Sequence, residues 1–226
     1  MLAPPTCPGC GARESDGRFC DGCRAEVRRI EEPWCEVCGL PRPDGDPRDR
    51  CDRCRGGRSF RRARAYARFE GAFPDWVARL KYRAERRIAP ALGELAHEAG
   101  RRALDLAAYD VVVPVPLHPE RLLARGFNQS FLIAEGVAEA VGLPVLHALA
   151  RVAARPAQVG LDDEARRDNV VGAFALDDAD GRDLAGLTVL LVDDVLTTGA
   201  TADACAEALL RGGAAAVDVL TVARTP

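Results

Sequence analysis

Eight of the nine cysteines fall into four C-x-x-C pairs, Cys7/Cys10, Cys20/Cys23, Cys35/Cys38 and Cys51/Cys54, all in the first quarter of a 226-residue chain. A C-x-x-C turn presents two thiolates from one tight loop, and four thiolates complete the tetrahedral shell of Zn2+. Between the pairs the chain is rich in Pro, Gly, Arg and Asp and has no sustained apolar period. Such a stretch cannot bury a self-sufficient core, so a metal is expected to staple it. A redox dithiol would set one pair beside a βαβ pattern, not four pairs in succession. Residues 1–6 carry neither the basic start nor the apolar run of a signal peptide. The cytoplasm is therefore the expected compartment, where structural disulfides are rare. Two four-cysteine zinc sites follow. Sharing a metal between successive pairs minimises loop closure, while an interleaved arrangement stays open. Cys205 stands alone in a helical pattern and reads as a small buried side chain.

The pattern changes near Phe60. Short apolar runs then alternate with long Ala/Leu/Arg segments, as strands alternate with helices in an α/β fold. Residues 110–115 (DVVVPV) and 188–194 (TVLLVDD) are nearly continuous Val-rich runs, as expected of parallel strands buried on both faces. Residues 169–176 suggest an edge strand or hairpin arm, and 216–223 a strand closing the sheet. Helices are expected over 85–106, 119–141 and 200–210, with Gly142 and Gly212 as C-caps. Residues 151–167 read as a long loop. The composition is 48% hydrophobic and 29% charged, which suits a globular chain, and no run approaches the ~20 apolar residues of a membrane span. A net charge of −3 argues against a protein that coats nucleic acid. Residues 1–64 carry 14 Arg against 11 Asp plus Glu, leaving single-stranded nucleic acid as a possible partner of the cysteine region. Of 31 basic residues only Lys81 is a lysine.

The most informative string is VLLVDDVLTTGAT, residues 189–201, in which a buried strand meets two acids, a hydroxyl-rich glycine turn and then a helix. A helix N-terminus turns backbone amides and the positive end of its dipole toward an anion. Thr197, Thr198 and Thr201 add hydroxyl donors, and Gly199 lets the backbone close on a phosphate. Asp193 and Asp194 stand at the carboxyl end of the strand, where open α/β sheets bind ligands. There they can accept hydrogen bonds from a vicinal diol or hold a cation. Neither G-x-x-x-x-G-K-[ST] nor a G-x-G-x-x-G after a strand is present.

This string resembles the signature of the type I phosphoribosyltransferase fold. Read with the cysteine block, LKYRAERR around Lys81, PVPLHPERLLARGFNQ and PAQVGLDDEARRDNVVGAF, almost the whole chain resembles the ComF family. These phosphoribosyltransferase-like proteins are associated with DNA uptake and carry an amino-terminal zinc ribbon. The resemblance implies a zinc-ribbon region over 1–58 and a parallel-sheet phosphoribosyltransferase domain over 59–226. It implies 5-phosphoribosyl 1-diphosphate (PRPP) as ligand, with Mg2+, and Asp193, Asp194 and Arg125 as catalytic residues. Val115, Pro116, Leu117, Arg121, Asn128, Gln129, Thr197, Thr198, Gly199, Ala200 and Thr201 would join Asp193 and Asp194 in binding PRPP. Gln158, Arg166 and Asn169 would lie in a mobile lid. Purine-salvage members of the fold place an aspartate three residues after the acidic pair. Here that residue is Thr197, so no general base and no acceptor carry over. Phosphoribosyl transfer is one expectation. The other is a non-catalytic PRPP- or nucleotide-sensing adaptor in DNA uptake, with a helicase as a possible partner of the zinc region.

Overall fold

The structure is a computed structural model that describes residues 5–13, 16–46, 48–152, 172–177 and 183–226. Its centre is a four-stranded parallel sheet in the order β1-β6-β5-β2, built from β1 (Ala63–Arg68), β2 (Val111–Pro114), β5 (Thr188–Leu196) and β6 (Ala216–Arg224). Two short strands, β3 (Leu149–Arg151) and β4 (Phe174–Leu176), pair antiparallel beside it.

Alternation along the strands divides the core into two layers, because successive side chains leave opposite faces. Val112, Leu190, Val192, Leu220 and Val222 pack beneath α2 (Phe73–Arg83), α3 (Ala89–Ala103) and α5 (Gln129–Val141). Val111, Val113, Val189, Leu191, Val217 and Val219 pack beneath α6 (Ala200–Arg211) and the β3–β4 pair. The first layer also takes Cys7, Phe19 and Cys23, with Phe19 stacked on Trp76 at 3.9 Å. The second takes Cys35, Cys38 and Cys54. The amino-terminal segment, which among its described residues includes the short helix α1 (Asp21–Ala25) and a 3-10 turn at Asp52–Cys54, thus reaches both faces.

It also covers the outer edge of β1. Ile30 N–H donates to Tyr66 O at 3.0 Å, Arg68 N–H to Arg28 O at 2.9 Å and Ala63 N–H to Val37 O at 2.6 Å. Gly39 (φ +65°) is required where the segment crosses, since a Cβ there would come within 2.6 Å of Ala63 O.

Three expectations are corrected. The strand over 216–223 does not close the sheet but lies inside it, between β1 and β5; β1 forms that edge. The single helix expected over 119–141 is two. The first, α4 (Pro119–Arg125), ends at Gly126 in the left-handed conformation (φ +77°), and α5 starts afresh from Asn128, whose side chain accepts from Ser130 N–H at 3.0 Å. The helix expected over 85–106 begins as a 3-10 turn at Arg86–Ile88 and is preceded by α2, which had no counterpart in the sequence reading. Among the described residues, no helix is long and apolar enough to cross a membrane.

Candidate functional site

The sulfurs settle the pairing of the cysteines. Cys7, Cys10, Cys20 and Cys23 form one group and Cys35, Cys38, Cys51 and Cys54 the other, each with all sulfurs within 4.8 Å of one another. Successive pairs therefore share a site, and the interleaved arrangement does not occur. A tetrahedral Zn2+ with Zn–S near 2.3 Å sets its sulfurs about 3.8 Å apart. The observed separations are 3.7 Å for Cys7–Cys23 and 3.6 Å for both Cys10–Cys20 and Cys38–Cys51, so both groups fit structural zinc. Amides support the sulfurs: Cys20 N–H donates to Cys7 Sγ and Cys51 N–H to Cys35 Sγ, both at 3.3 Å.

The second centre lies at the carboxyl end of β5. Asp194 is 3% exposed, yet carries an ion pair from Lys81 Nζ on α2 to its Oδ2 and accepts from Gln129 Nε2 at its Oδ1, 3.2 Å away. Arg125 in turn donates to Gln129 Oε1, which fixes the amide with its NH2 toward the acid. Asp193 is half-buried, and its Oδ1 accepts from Ser130 Oγ at 2.7 Å and from Asp194 N–H at 2.9 Å. Burial first, and the neighbouring Asp194 carboxylate second, push Asp193 from an ordinary 3.8 up to about 7, against the pull of the Ser130 hydrogen bond.

That shift has a testable sign. A carboxyl held above its unfolded value keeps a proton that the unfolded chain releases, so its contribution is fully present below about pH 4 and is lost as pH rises toward about 7. Asp193→Asn is expected to flatten this decline and to raise stability at pH 8 by on the order of 1 kcal/mol. Urea unfolding of both proteins at pH 5 and pH 8 checks it; an equal pH dependence would reject the assignment.

Past β5 the chain turns through Thr197 and Thr198 to Gly199 (φ +84°) and enters α6. Thr198 Oγ1 accepts from Ala200 N–H at 3.3 Å, and Thr201 lies in the first turn of the helix. The first-turn amides of α6 and the acidic pair thus frame one end of the sheet. Opposite them, at the end of β2, run Val115, Pro116 and Leu117. Val115 N–H donates to Val192 O at 2.9 Å, and Val115 O accepts from Asn128 Nδ2 at 2.9 Å. A cavity of about 500 Å³ opens beside Lys81, lined by Tyr82, Ala84, Arg121, Ala124 and Arg125. A second, of about 370 Å³, follows Pro116 and Leu117 to Phe131, His147 and Arg151. The first is cationic, suited to phosphate oxygens.

Three sequence-predicted residues have protein partners of their own. Asn128 caps α5 and braces the β2 loop, Gln129 orients Asp194, and Arg125 holds Gln129. Two residues at the acidic pair had no assigned role in the sequence reading, Lys81 and Ser130. The signal for Lys81 was its isolation as the sole lysine of an arginine-rich chain; Ser130 gave none. Gln158, Arg166 and Asn169 lie outside the described residues.

Comparison with known proteins finds two family matches in the chain. The Double zinc ribbon domain family matches residues 1–55, and the Phosphoribosyl transferase domain family matches residues 136–226. The DNA utilization protein YhgH of Salmonella typhi is 34% identical over 212 residues, 92% of this chain and 90% of that protein. The chain belongs to the ComF family. Competence protein ComFC of Bacillus subtilis is 27% identical to this ComF-family chain over 216 residues, 93% of this chain and 85% of that one. Among solved structures, a glutamine PRPP amidotransferase from B. subtilis complexed with ADP and GMP aligns with 58% of the chain and 25% of its own, at 23% identity and a TM-score of 0.38.

Proposed function

We propose that this ComF-family chain binds PRPP with Mg2+ and transfers its phosphoribosyl group to an acceptor. The observation that carries the reading is the adjacency of Asp193 and Asp194, at the end of a buried parallel strand, to the Gly199 turn and the amino terminus of α6. In this reading the first-turn amides of α6 and the Thr197 and Thr198 hydroxyls take the 5′-phosphate. The two carboxylates accept the ribose hydroxyls. The diphosphate lies against Val115–Leu117, and Lys81, Arg121 and Arg125 face the charge that builds on it as the bond to ribose C1 breaks and the acceptor's bond forms. Carboxylate is hard oxygen and suits Mg2+, and the more exposed Asp193 would be its protein ligand, since Asp194 is committed to Lys81 and Gln129. When bound, that ion supplies neutralisation of diphosphate charge. Lys81 and Gln129 keep Asp194 oriented before ligand arrives. The relatives named for DNA utilization and competence supply the biological setting.

Thr197 favours a second reading, binding without transfer, because it offers no base at the position where an acid serves purine-salvage enzymes. The acceptor side decides between them: release of diphosphate with a base, amine or nucleic-acid acceptor marks a transferase, and binding without release marks a sensor.

Calorimetric titration of PRPP with and without Mg2+ tests the shared premise. Asp194→Asn is expected to weaken Mg2+-dependent binding by about tenfold or more, equivalent to at least ~1.4 kcal/mol. Undiminished affinity in that variant would remove the acidic pair from the site.

A further inference from the structure

The linker after the last cysteine pair reaches the turn assigned to phosphate. Arg58 has a side chain 5% exposed, and its Nη2 donates both to Arg53 O, inside the Cys51–Cys54 knuckle, at 3.1 Å, and to Thr198 O at 3.2 Å. Its Nη1 lies 3.4 Å from Asp203 Oδ2, and Asp203 Oδ1 accepts from Ser59 N–H at 2.6 Å. Asp203, in the first turn of α6, thus anchors the linker. Phe60 and the Arg58 guanidinium lie beside Gly199, where a Cβ would make ordinary contact with the ring at 3.8 Å and with Arg58 Cζ at 3.9 Å. One guanidinium is therefore shared between a zinc knuckle and the Thr198–Gly199 turn.

A consequence follows from elementary chemistry. A carbonyl held from behind by a charged donor cannot rotate into the place an anion would take, so the neighbouring amides stay turned outward. The same guanidinium pairs with Asp203 Oδ2 at 3.4 Å, so one side chain holds both the Thr198 carbonyl and the first turn of α6. We propose that Arg58 is a positioning residue of the phosphate turn, and that the second zinc ribbon, through the Arg53 carbonyl, tunes affinity for a sugar phosphate. This rests on the phosphoribosyl reading for the ligand, but not for the hold of Arg58 on the turn.

The test uses the full zinc-loaded chain with ribose 5-phosphate and, separately, Mg2+–diphosphate, which does not need the turn. Arg58→Ala is expected to bind ribose 5-phosphate about tenfold more weakly, in line with losing charge-assisted hydrogen bonds. Diphosphate affinity should change less than about twofold, a selectivity that general loosening of the fold would not produce. Arg58→Lys should fall between, keeping the charge without the planar fork. Without any ligand, amide exchange at residues 198–201 should quicken in Arg58→Ala. If binding to Arg53 is coupled to the turn, linkage is reciprocal, and ribose 5-phosphate should slow the release of one of the two zinc ions to a chelator in wild type but not in Arg58→Ala. Wild-type affinity and wild-type exchange in Arg58→Ala, or zinc release blind to ribose 5-phosphate in a wild-type protein that binds it, would overturn the proposal. Wild-type protein that binds neither probe would sink the phosphoribosyl reading instead, and amide exchange would still decide whether Arg58 holds the turn. Should Arg58→Ala fail to fold, Asp203→Asn, which weakens the same anchor, replaces it with the same expected selectivity.

Discussion

Cys35→Ser is expected to release one of two zinc ions per chain and to lower the melting temperature of the whole protein, sheet included, by about 10 °C or more. Cys35 is fully buried in the layer that holds Val111, Val113, Val189 and Leu191, so no solvent separates this site from the sheet. Arg224, on β6 and 1% exposed, donates from Nη2 to Cys38 Sγ at 3.2 Å. Four thiolates around Zn2+ leave a net charge of two minus, and Arg224 is its buried counter-ion. Burial lowers the guanidinium's pKa from the usual arginine range, but the side chain stays charged. Once the dianionic zinc centre is lost, the arginine is left in the core without the counter-ion it faces, a situation costing about 3–5 kcal/mol beyond the lost metal-binding energy. For a chain of this size each kcal/mol moves the melting temperature by about 2–4 °C. Calorimetry beside zinc stoichiometry reads the result. A variant that holds one zinc and melts at the wild-type temperature would show that the ribbon and the sheet are energetically separate.

Lys81→Met should destabilise the protein by about 2–3 kcal/mol, and Asp194→Asn placed in the same chain should recover most of that loss. Asp194 keeps only 5% of its side chain exposed, and Lys81 is its cationic partner. Removing one member of a buried pair leaves the other charge uncompensated, which costs about 3–5 kcal/mol in a closed site. The figure here is placed lower because Lys81 retains 22% exposure and water can reach the gap. In the double variant Gln129 faces an amide, which asks for no counter-charge. Denaturant unfolding of the four proteins gives the coupling energy directly. Simple additivity of the two losses would mean that the pair contributes nothing to the fold.

Much of this architecture was legible. The Val-rich runs ending in Val115 and Asp194 announced buried parallel strands because a strand covered on both faces needs no polar alternation. The C-x-x-C spacing announced metal because few other structures ask for it. β1 escaped because ARAYAR alternates small alanines with Arg64, Tyr66 and Arg68, which carry no apolar period. In the fold Arg64 is covered by the cysteine segment, donating to Glu36 O at 3.1 Å with its guanidinium over Trp34, a setting that sequence periodicity cannot announce. Gly-Phe-Asn at 126–128 read as site chemistry within one helix, whereas much of its work is to end α4, bury Phe127 and start α5. Lys81 reaches the acidic pair from a helix more than 100 residues away in sequence, and such a meeting belongs to tertiary structure alone.

The strip of main-chain bonds from Ile30, Arg28 and Val37 onto β1 has a consequence outside the fold itself. A parallel sheet with an open border is a template on which another chain can add a strand, and such growth is self-propagating. Here that border is closed by a segment with little apolar content of its own, kept in place by two clusters of cysteine sulfur. Solubility in a crowded cell is thereby tied to metal supply: the ions that shape the amino-terminal turns also stand between one molecule of this protein and the next.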